Sequence, residues 1–365
     1  MSRVSTFWFI FFFIINFLQA QDARENFKFA KFKYDNGHFQ ESLEFLDKAL
    51  EEDSLYVNAL YLRAEVRFEL GQFYNAVLDI NRILKLKNSN AVYTGNYYLT
   101  RGKSFLSLKD YSNAENDFDK AFELLSDDPN LFYYRAKLSI ARNAYNQALE
   151  EIDVAIQIKS DNPDFYSLRS EIKIKLLNPV PDSDDYQSVL GDINVAIALD
   201  PDHPNNYLIR SNFLKSMGEV AAALEDYNTV IELSPKKEEA YTSRGVIKMN
   251  NYEYRSAALD FTKSIIINPD DERNYRYRGL CYNNLNNFAD ALKDFTKSID
   301  LLTILLDDSA EKEPVKNTLA ETYLLRGHCL NLMGNNAQAC RDFLMAHNLG
   351  IRKGLNYYRK FCGIY

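Results

Sequence analysis

The sequence predicts an all-α fold made of stacked helix pairs, and three observations carry that reading. Eight stretches share one pattern: an Arg, then a small residue, then an acid followed by an aliphatic or aromatic residue. The acid falls sixteen positions after the Arg in every copy but one, which carries an insertion. Uninterrupted copies lie 34 residues apart, a period that marks a stacked repeat architecture. Gly and Pro are sparse and sit mostly between helical runs. A chain that is 46% hydrophobic and 14% aromatic is not disordered. A net charge of −8 argues against a nucleic-acid backbone as partner. Stacked repeats move the functional question from catalysis to binding surfaces.

The N-terminus is a separate object. Met1–Thr6 carries one cationic side chain, Arg3, and Phe7–Ile15 is an unbroken apolar run. A small residue, Ala20, precedes Gln21 at a plausible cut. A charged start, a short greasy core and a small residue predict a cleaved export signal over residues 1–20. The alternative is an uncleaved anchor, but the run is short of the roughly 20 residues a span needs. No Asn-x-Ser/Thr acceptor occurs in the chain, which leans toward a bacterial exported protein, periplasmic or secreted.

Numbering each repeat 1 to 34, nine copies follow over residues 21–353: Ala23–Tyr56, Val57–Asn90, Gly95–Asp128, Pro129–Asn162, Pro163–His203, Pro204–Lys237, Glu238–Asp271, Glu272–Leu305 and Ala320–Lys353. Ala91–Thr94 precede the third copy, Leu306–Leu319 separate the last two, and the fifth carries an insertion around Asn178–Asp184. Pro179 and Pro181 prevent helix in that insertion. Position 8 is always small, as in Ala64, Gly102, Ser211 and Gly245, and position 20 is nearly always Ala. These two positions are expected to touch where the helices of a pair approach. Position 17 holds a ring in most copies, position 24 is a large apolar residue, and with position 20 they form the buried stripe of the second helix. Pro201, Pro235 and Pro269 follow second helices. Residues 354–365 are read as a cap helix and tail, with Leu355, Tyr358 and Arg359 at helical spacing.

With these positions in register over so many copies, the chain resembles the tetratricopeptide repeat family, in a variant with Arg-Gly in the first helix and Asp-Phe or Asp-Tyr in the second. The terminal copies depart from the pattern: the first has Phe29 and Phe45 in place of the Arg and the acid, and the ninth has Asn336 at the ring position. The resemblance implies a right-handed superhelical solenoid of about nine helix-turn-helix repeats. Its concave face, lined by first helices, commonly binds peptides or proteins.

The Arg of each copy stands at position 7 and its acid at position 23. Arg101 and Asp117, Arg210 and Asp226, Arg244 and Asp260, Arg278 and Asp294, and Arg326 and Asp342 are five such couples. A guanidinium reaches a carboxylate at this offset and can hold it through two parallel bonds. The expected role is an internal ladder of structural ion pairs, closed either within a repeat or across to a neighbour. A row of anion-binding arginines is the rival.

No catalytic constellation stands out. The four histidines form no His-Glu-x-x-His pair, and neither a phosphate loop nor a Gly-x-Ser-x-Gly elbow is present. No enzyme activity and no cofactor are expected. On the geometry implied by the resemblance, positions 2, 5, 9, 12 and 13 of the first helices line the groove. They give Asn96, Lys103, Asn130, Lys137 and Lys175, then Asn205, Asn212 and Lys215, then Arg273, Arg276, Asn283, Asn284 and His328. Asn can hold a peptide backbone through its donor and acceptor, and the lysines suit an acidic protein or peptide. No three successive repeats match the family's carboxylate clamp for chaperone C-termini, because Leu208 stands where that pattern needs Lys ahead of Asn212.

Of the four cysteines, Cys281 and Cys329 share position 10 of successive first helices, too far apart to bond, and are expected free and buried. Cys340 and Cys362 are brought together by an antiparallel return through the Leu349–Gly354 corner, and a bridge between them is expected. The sequence thus points to an exported, non-enzymatic scaffold that holds a protein or peptide in its groove. The alternative is a structural subunit of an envelope or secretion assembly, held by its edges and loops.

Overall fold

The computed structural model describes residues 22–86, 91–177, 183–308 and 312–363. The expected export segment, residues 1–20, lies outside them, as does most of the Asn178–Asp184 insertion. Among the described residues there are nineteen helices and no strand, and the run of repeats falls into two compact units, Met1–Leu199 and Asp200–Tyr365.

The first unit holds five helix pairs: α1 (residues 22–35) with α2 (Phe39–Glu52), α3 (Val57–Glu69) with α4 (Phe73–Leu84), α5 (Ala91–Ser107) with α6 (Tyr111–Phe122), α7 (Pro129–Ala141) with α8 (Tyr145–Ile158), and α9 (Pro163–Leu176) with α10 (Ser183–Leu199). The second holds four: α11 (Pro204–Ser216) with α12 (Val220–Leu233), α13 (Glu238–Asn250) with α14 (Tyr254–Ile267), α15 (Glu272–Asn284) with α16 (Phe288–Asp308), and α17 (Lys312–Leu332) with α18 (Asn336–Asn348). The cap helix α19 (Arg352–Cys362) follows. Each unit is a helical-repeat solenoid.

Local chemistry sets the ends of these helices. Pro129, Pro163 and Pro204 open first helices, where a missing N–H costs nothing. Asp110, Asp128, Asn162 and Asp271 accept a backbone N–H at helix starts. The turn inside each fully described pair puts position 15 in the left-handed region: Gly37, Gly71, Gly218 and Gly334, but also Lys109, Asn143, Tyr252 and Asn286. The described parts of the spacers read from the repeat register are helix. Ala91–Thr94 extend α5, which reaches 17 residues, residues 306–308 lengthen α16 and residues 312–319 lengthen α17, to 21 residues each. Pro314 does not stop α17 because it lies in the first turn.

Position 8 meets position 20 in the first copy, where Ser42 donates to the Ala30 carbonyl oxygen at 2.8 Å. In other copies it meets position 24 as well. At Gly102, Gly245, Gly279 and Gly327, the ring at position 24 supplies the nearest atoms, rather than the Ala at position 20. An added Cβ would lie 2.5, 2.9, 2.8 and 2.8 Å from Cε1 of Phe118, Phe261, Phe295 and Phe343 respectively. The two positions vary together along the chain. Copies with Gly at 8 carry Phe at 24, whereas Ala64 and Ala136 go with Ile80 and Ile152, and Ser170 with Ile193. Ser211 with Tyr227 is the exception. The glycines are vacancies for rings.

The packed face of the cap helix includes Tyr358, as its spacing suggested, but not Arg359. Arg359 is exposed, while Tyr357, Tyr358 and Phe361 pack against Leu330, Ala339 and Phe343. Gly354 allows the close approach, since a Cβ there would stand 2.5 Å from the Phe343 carbonyl oxygen. Cys340 and Cys362 are joined by a disulfide, with Cα atoms 5.9 Å apart, and this pins α19 to α18. Cys281 and Cys329 are free and buried, and burial pushes the Cys281 thiol up to about 12.

Candidate functional site: the faces of the first helices

The arginine ladder must be separated from the binding face first. In every copy from the second to the ninth except the fourth, Nε and Nη2 of the position-7 Arg hold both oxygens of the position-23 Asp, at 2.5–3.0 Å. In the fourth copy Arg135 reaches Glu151 through Nε alone, at 3.3 Å. Nη1 meanwhile crosses to position 25 of the preceding repeat. It donates from Arg63 to Asp47 and from Arg169 to Asp153, both at 2.7 Å, from Arg244 to Asn228 at 2.6 Å, and from Arg278 to Thr262 at 3.0 Å. Arg101 bonds Asn81 in the same way. One guanidinium therefore closes its own helix pair and ties it to the pair before. The position-4 Tyr lies beside the same cation in six copies, with Arg326 closest to its ring (Tyr323, 5.4 Å) and Arg244 and Arg278 farthest, at 5.8 Å. The carboxylate bonds raise the pKa of Arg210 and Arg326 above the ordinary guanidinium value, against the opposing effect of burial. In most copies Nε, Nη1 and Nη2 of the guanidinium are each bonded inside the fold, the arrangement expected of an internal ladder.

The candidate groove residues divide by unit. In the first unit, position 9 runs Glu65, Lys103, Lys137, Glu171 along successive first helices. Lys103 Nζ is 3.3 Å from Glu65 and lies over the rings of Phe68 and Tyr134, at 4.6 and 5.4 Å. Thr100 donates to the other Glu65 oxygen. Lys137 lies over Tyr133 and Tyr134, at 5.1 and 5.6 Å. Tyr133 packs edge-on to Tyr134, with centroids 5.2 Å apart, and Tyr134 meets Phe68 at 6.5 Å.

Lys137 and Glu171 are exposed to solvent. Burial nonetheless lowers the Lys137 pKa below the ordinary lysine value, with Glu171 and Asp164 pulling the other way. Burial likewise raises the Glu171 carboxyl, opposed by Lys137 and Lys175. The Tyr133 hydroxyl is pushed up to about 12 by burial, then by Asp164 and Glu171. Tyr34 is raised to about 12 by burial, then by Glu65 and Glu69. Asn96 is half-buried, while Asn130 and Lys175 are exposed.

In the second unit two of the four expected asparagines, Asn212 and Asn284, are committed to neighbours. Asn212 accepts from the Tyr227 hydroxyl at 2.6 Å and donates to Glu239 at 3.0 Å. Asn284 bonds its own helix at Leu280, and Arg273 is held by Asp271 at 2.7 Å. Lys215 approaches the Ser243 hydroxyl at 3.4 Å, and Asn205 is half-buried. Arg276 lies 3.6 Å from Glu272. The Nε of Arg276 and the Oδ1 of Asn283 are buried with no hydrogen-bond partner. His328 is covered by the cap helix, with ring centroids 4.3 Å from Tyr357 and 5.3 Å from Phe343, so it is a packing residue and not an open groove contact. Burial, then Lys360, lowers its pKa. Tyr134 and Glu171 were missed as site residues. Tyr134 stands at position 6, outside the positions that the groove geometry names, and Glu171 emerges only when position 9 is read across repeats. Among the described residues there is no cluster of His, Cys, Asp and Glu that could hold a metal, and no helix long and apolar enough to cross a membrane.

Comparison with known proteins agrees with this architecture. Two family models, both described as tetratricopeptide repeat, match residues 27–91, and residues 95–127 and 204–237. No curated protein matches the chain. Among solved structures, a tetratricopeptide repeat protein from Parabacteroides merdae is 20% identical, with a TM-score of 0.51, and the match covers 72% of this chain and 99% of that one. MamA 41-end from Desulfovibrio magneticus RS-1 is 13% identical with a TM-score of 0.42, covering 49% and 97%. YrrB, described as a TPR protein with an unusual peptide-binding site, is 19% identical with a TM-score of 0.37, covering 52% and 92%. The register, the helix pairs and the matched family models agree: the chain is a tetratricopeptide-repeat protein, a scaffold of the kind that mediates protein–protein interaction.

Proposed function

We propose that the protein is a non-enzymatic scaffold of the bacterial envelope, exported and then processed near Gln21, that holds a protein or peptide on the first-helix face of its first unit. The observation that carries this is the cluster on that face, where Lys137 is open to solvent and stands over the Tyr133 and Tyr134 rings at 5.1 and 5.6 Å, beside the paired Lys103 and Glu65 over Phe68. A ligand carboxylate would pair with Lys137, while aromatic or prolyl groups would lie on the tyrosines. The Cys340–Cys362 bridge supports an oxidising compartment, as does the charged and greasy start of the chain.

The test is quantitative capture from native envelope by wild type and by Lys137→Glu, identified by mass spectrometry. Reversing that charge should reduce capture of the main partner at least tenfold while the helical signal is unchanged. Equal capture by both forms would remove the groove from the account. Intact mass from the same preparation reads the N-terminus, and a retained Met1–Ala20 would replace the processed form with an anchored one.

A further inference from the structure

Each ladder pair has an open flank, and in most copies position 11, one turn after the Arg, covers it. In four copies position 11 donates to the ladder acid: Arg67 to Asp79 at 2.7 Å, Ser139 to Glu151 and Lys248 to Asp260 at 2.8 Å, and Lys173 to Asp192 at 2.6 Å. In the third and eighth copies it is a ring beside the guanidinium instead. Arg101 lies 5.6 Å from Tyr98 and 5.8 Å from Phe105, and Arg278 lies 5.8 Å from both Tyr275 and Tyr282. The cation there is flanked by a ring one turn before it and a ring one turn after it, each attracted to its positive charge.

The ninth copy keeps the first ring and lacks the second. Tyr323 lies 5.4 Å from Arg326, but position 11 is Leu330, which is buried against Ala339 and Phe343. The place beside the guanidinium is a cavity of about 500 Å³ between α16, α17 and α18, within the range of small-molecule sites. Leu292, Leu330 and Met345 give it apolar walls. Asp342 also lines it, but Arg326 holds both its oxygens, so the charges of that pair cancel. Arg341 lines it too, is exposed, and has a guanidinium that no described residue bonds. One positive charge is therefore uncompensated, and a cation of the kind that fills position 11 elsewhere would be repelled by it. The sixth copy also has Leu at position 11, Leu214, but carries Glu225 where the ninth has Arg341. We propose that the cavity binds an aromatic carboxylate, with its ring on Arg326 in the place that Phe105 and Tyr282 fill in their own repeats and its carboxylate on Arg341. A free aromatic acid and the aromatic C-terminal residue of a polypeptide present this same chemistry. The site belongs to the second unit and does not rest on the reading of Lys137.

The test is isothermal titration calorimetry on the purified protein, with hydrocinnamate, hydrocinnamamide, cyclohexanepropionate and the acetylated tripeptide Gly-Gly-Phe as probes. Hydrocinnamate should bind one per chain. The amide should bind at least tenfold more weakly, and the cyclohexyl acid, which lacks the ring face, about threefold more weakly. Arg341→Gln should weaken hydrocinnamate about tenfold and leave the amide unchanged. Met345→Trp should abolish binding by filling the cavity from its open side. Both residues are exposed, so the helical signal and melting temperature should not move. A tripeptide that binds at least tenfold tighter than hydrocinnamate upholds the site and assigns it to chain termini, and the reverse order upholds it for free acids. Failure of hydrocinnamate and the tripeptide to saturate the protein at about 5 mM overturns the proposal. So does an amide that binds as well as the acid, or acid binding that either substitution leaves intact. None of these outcomes bears on capture at Lys137, so the cavity and the groove fail separately.

Discussion

Replacing Gly279 by Ala should destabilise the second unit, although Ala is the better helix former. The added Cβ would stand 2.8 and 3.0 Å from two Phe295 ring carbons and 3.3 Å from the Asp294 Cβ. Carbon atoms prefer about 3.5–4.0 Å, so the ring must withdraw by roughly 0.5–1 Å. Phe295 is fully buried among Ala291, Cys329 and Leu292 and has little room to do so. Overpacking of this kind costs about 1–3 kcal/mol, offset by about 1 kcal/mol of helix propensity. Phe295→Ile alone leaves a void and should also cost about 1–3 kcal/mol. In that background, however, Gly279→Ala should stabilise, since it recreates the Ala64 and Ile80 pairing of the second repeat. The sign of one substitution thus reverses with its neighbour. The propensity term cancels in the cycle, which should show a coupling of about 2 kcal/mol. Urea and thermal unfolding of the four proteins measure it, with roughly 2–4 °C expected per kcal/mol. Gly279→Ala neutral or stabilising in the wild-type background would refute the ring-vacancy argument.

Three further outcomes are expected. Arg278→Ala strips Asp294 and Thr262 of their donor and should cost about 1–3 kcal/mol, with Arg278→Lys recovering only part because an ammonium cannot span both partners; an unchanged melting temperature would dismiss the ladder. Tyr252→Gly relieves an exposed aromatic residue held at φ 64° and should stabilise by about 1 kcal/mol, read from the urea midpoint. His328 is held neutral under the cap helix, so the unfolded chain binds more protons as pH falls through 6.5. Stability should therefore drop on acidification below that value. His328→Phe should flatten the profile, and hydrogen exchange over α19 should follow the same pH dependence.

The sequence made the architecture legible because one register recurs nine times, and each turn of the register has a physical cause that the structure repeats. The Arg–Asp offset was readable for that reason. The crossing bond from Nη1 was not, because position 25 holds Asp47, Asn81, Asp153, Asn228 and Thr262, residues alike only in having an acceptor oxygen. The pairing of Gly with Phe and Ala with Ile was present in the sequence, but only as a correlation between two positions each read alone. The spacers beside α5, α16 and α17 were read as interruptions because period alone does not tell a loop from a longer helix. Reading the groove from side-chain type alone overrated Asn212, whose donor and acceptor are both taken by neighbours. It underrated Tyr134 and Glu171, whose importance comes from what surrounds them. His328 looked like a groove residue until the cap helix was placed over it.

Site-specific photo-crosslinking in cells tests the groove most directly. A photoreactive phenylalanine analogue is placed at Tyr133, beside Lys137, and in a separate protein at Tyr74, which is exposed on a second helix. The account predicts partner adducts from position 133, lost when Lys137→Glu is added, and none from position 74. Adducts from position 74 with none from position 133 would contradict it.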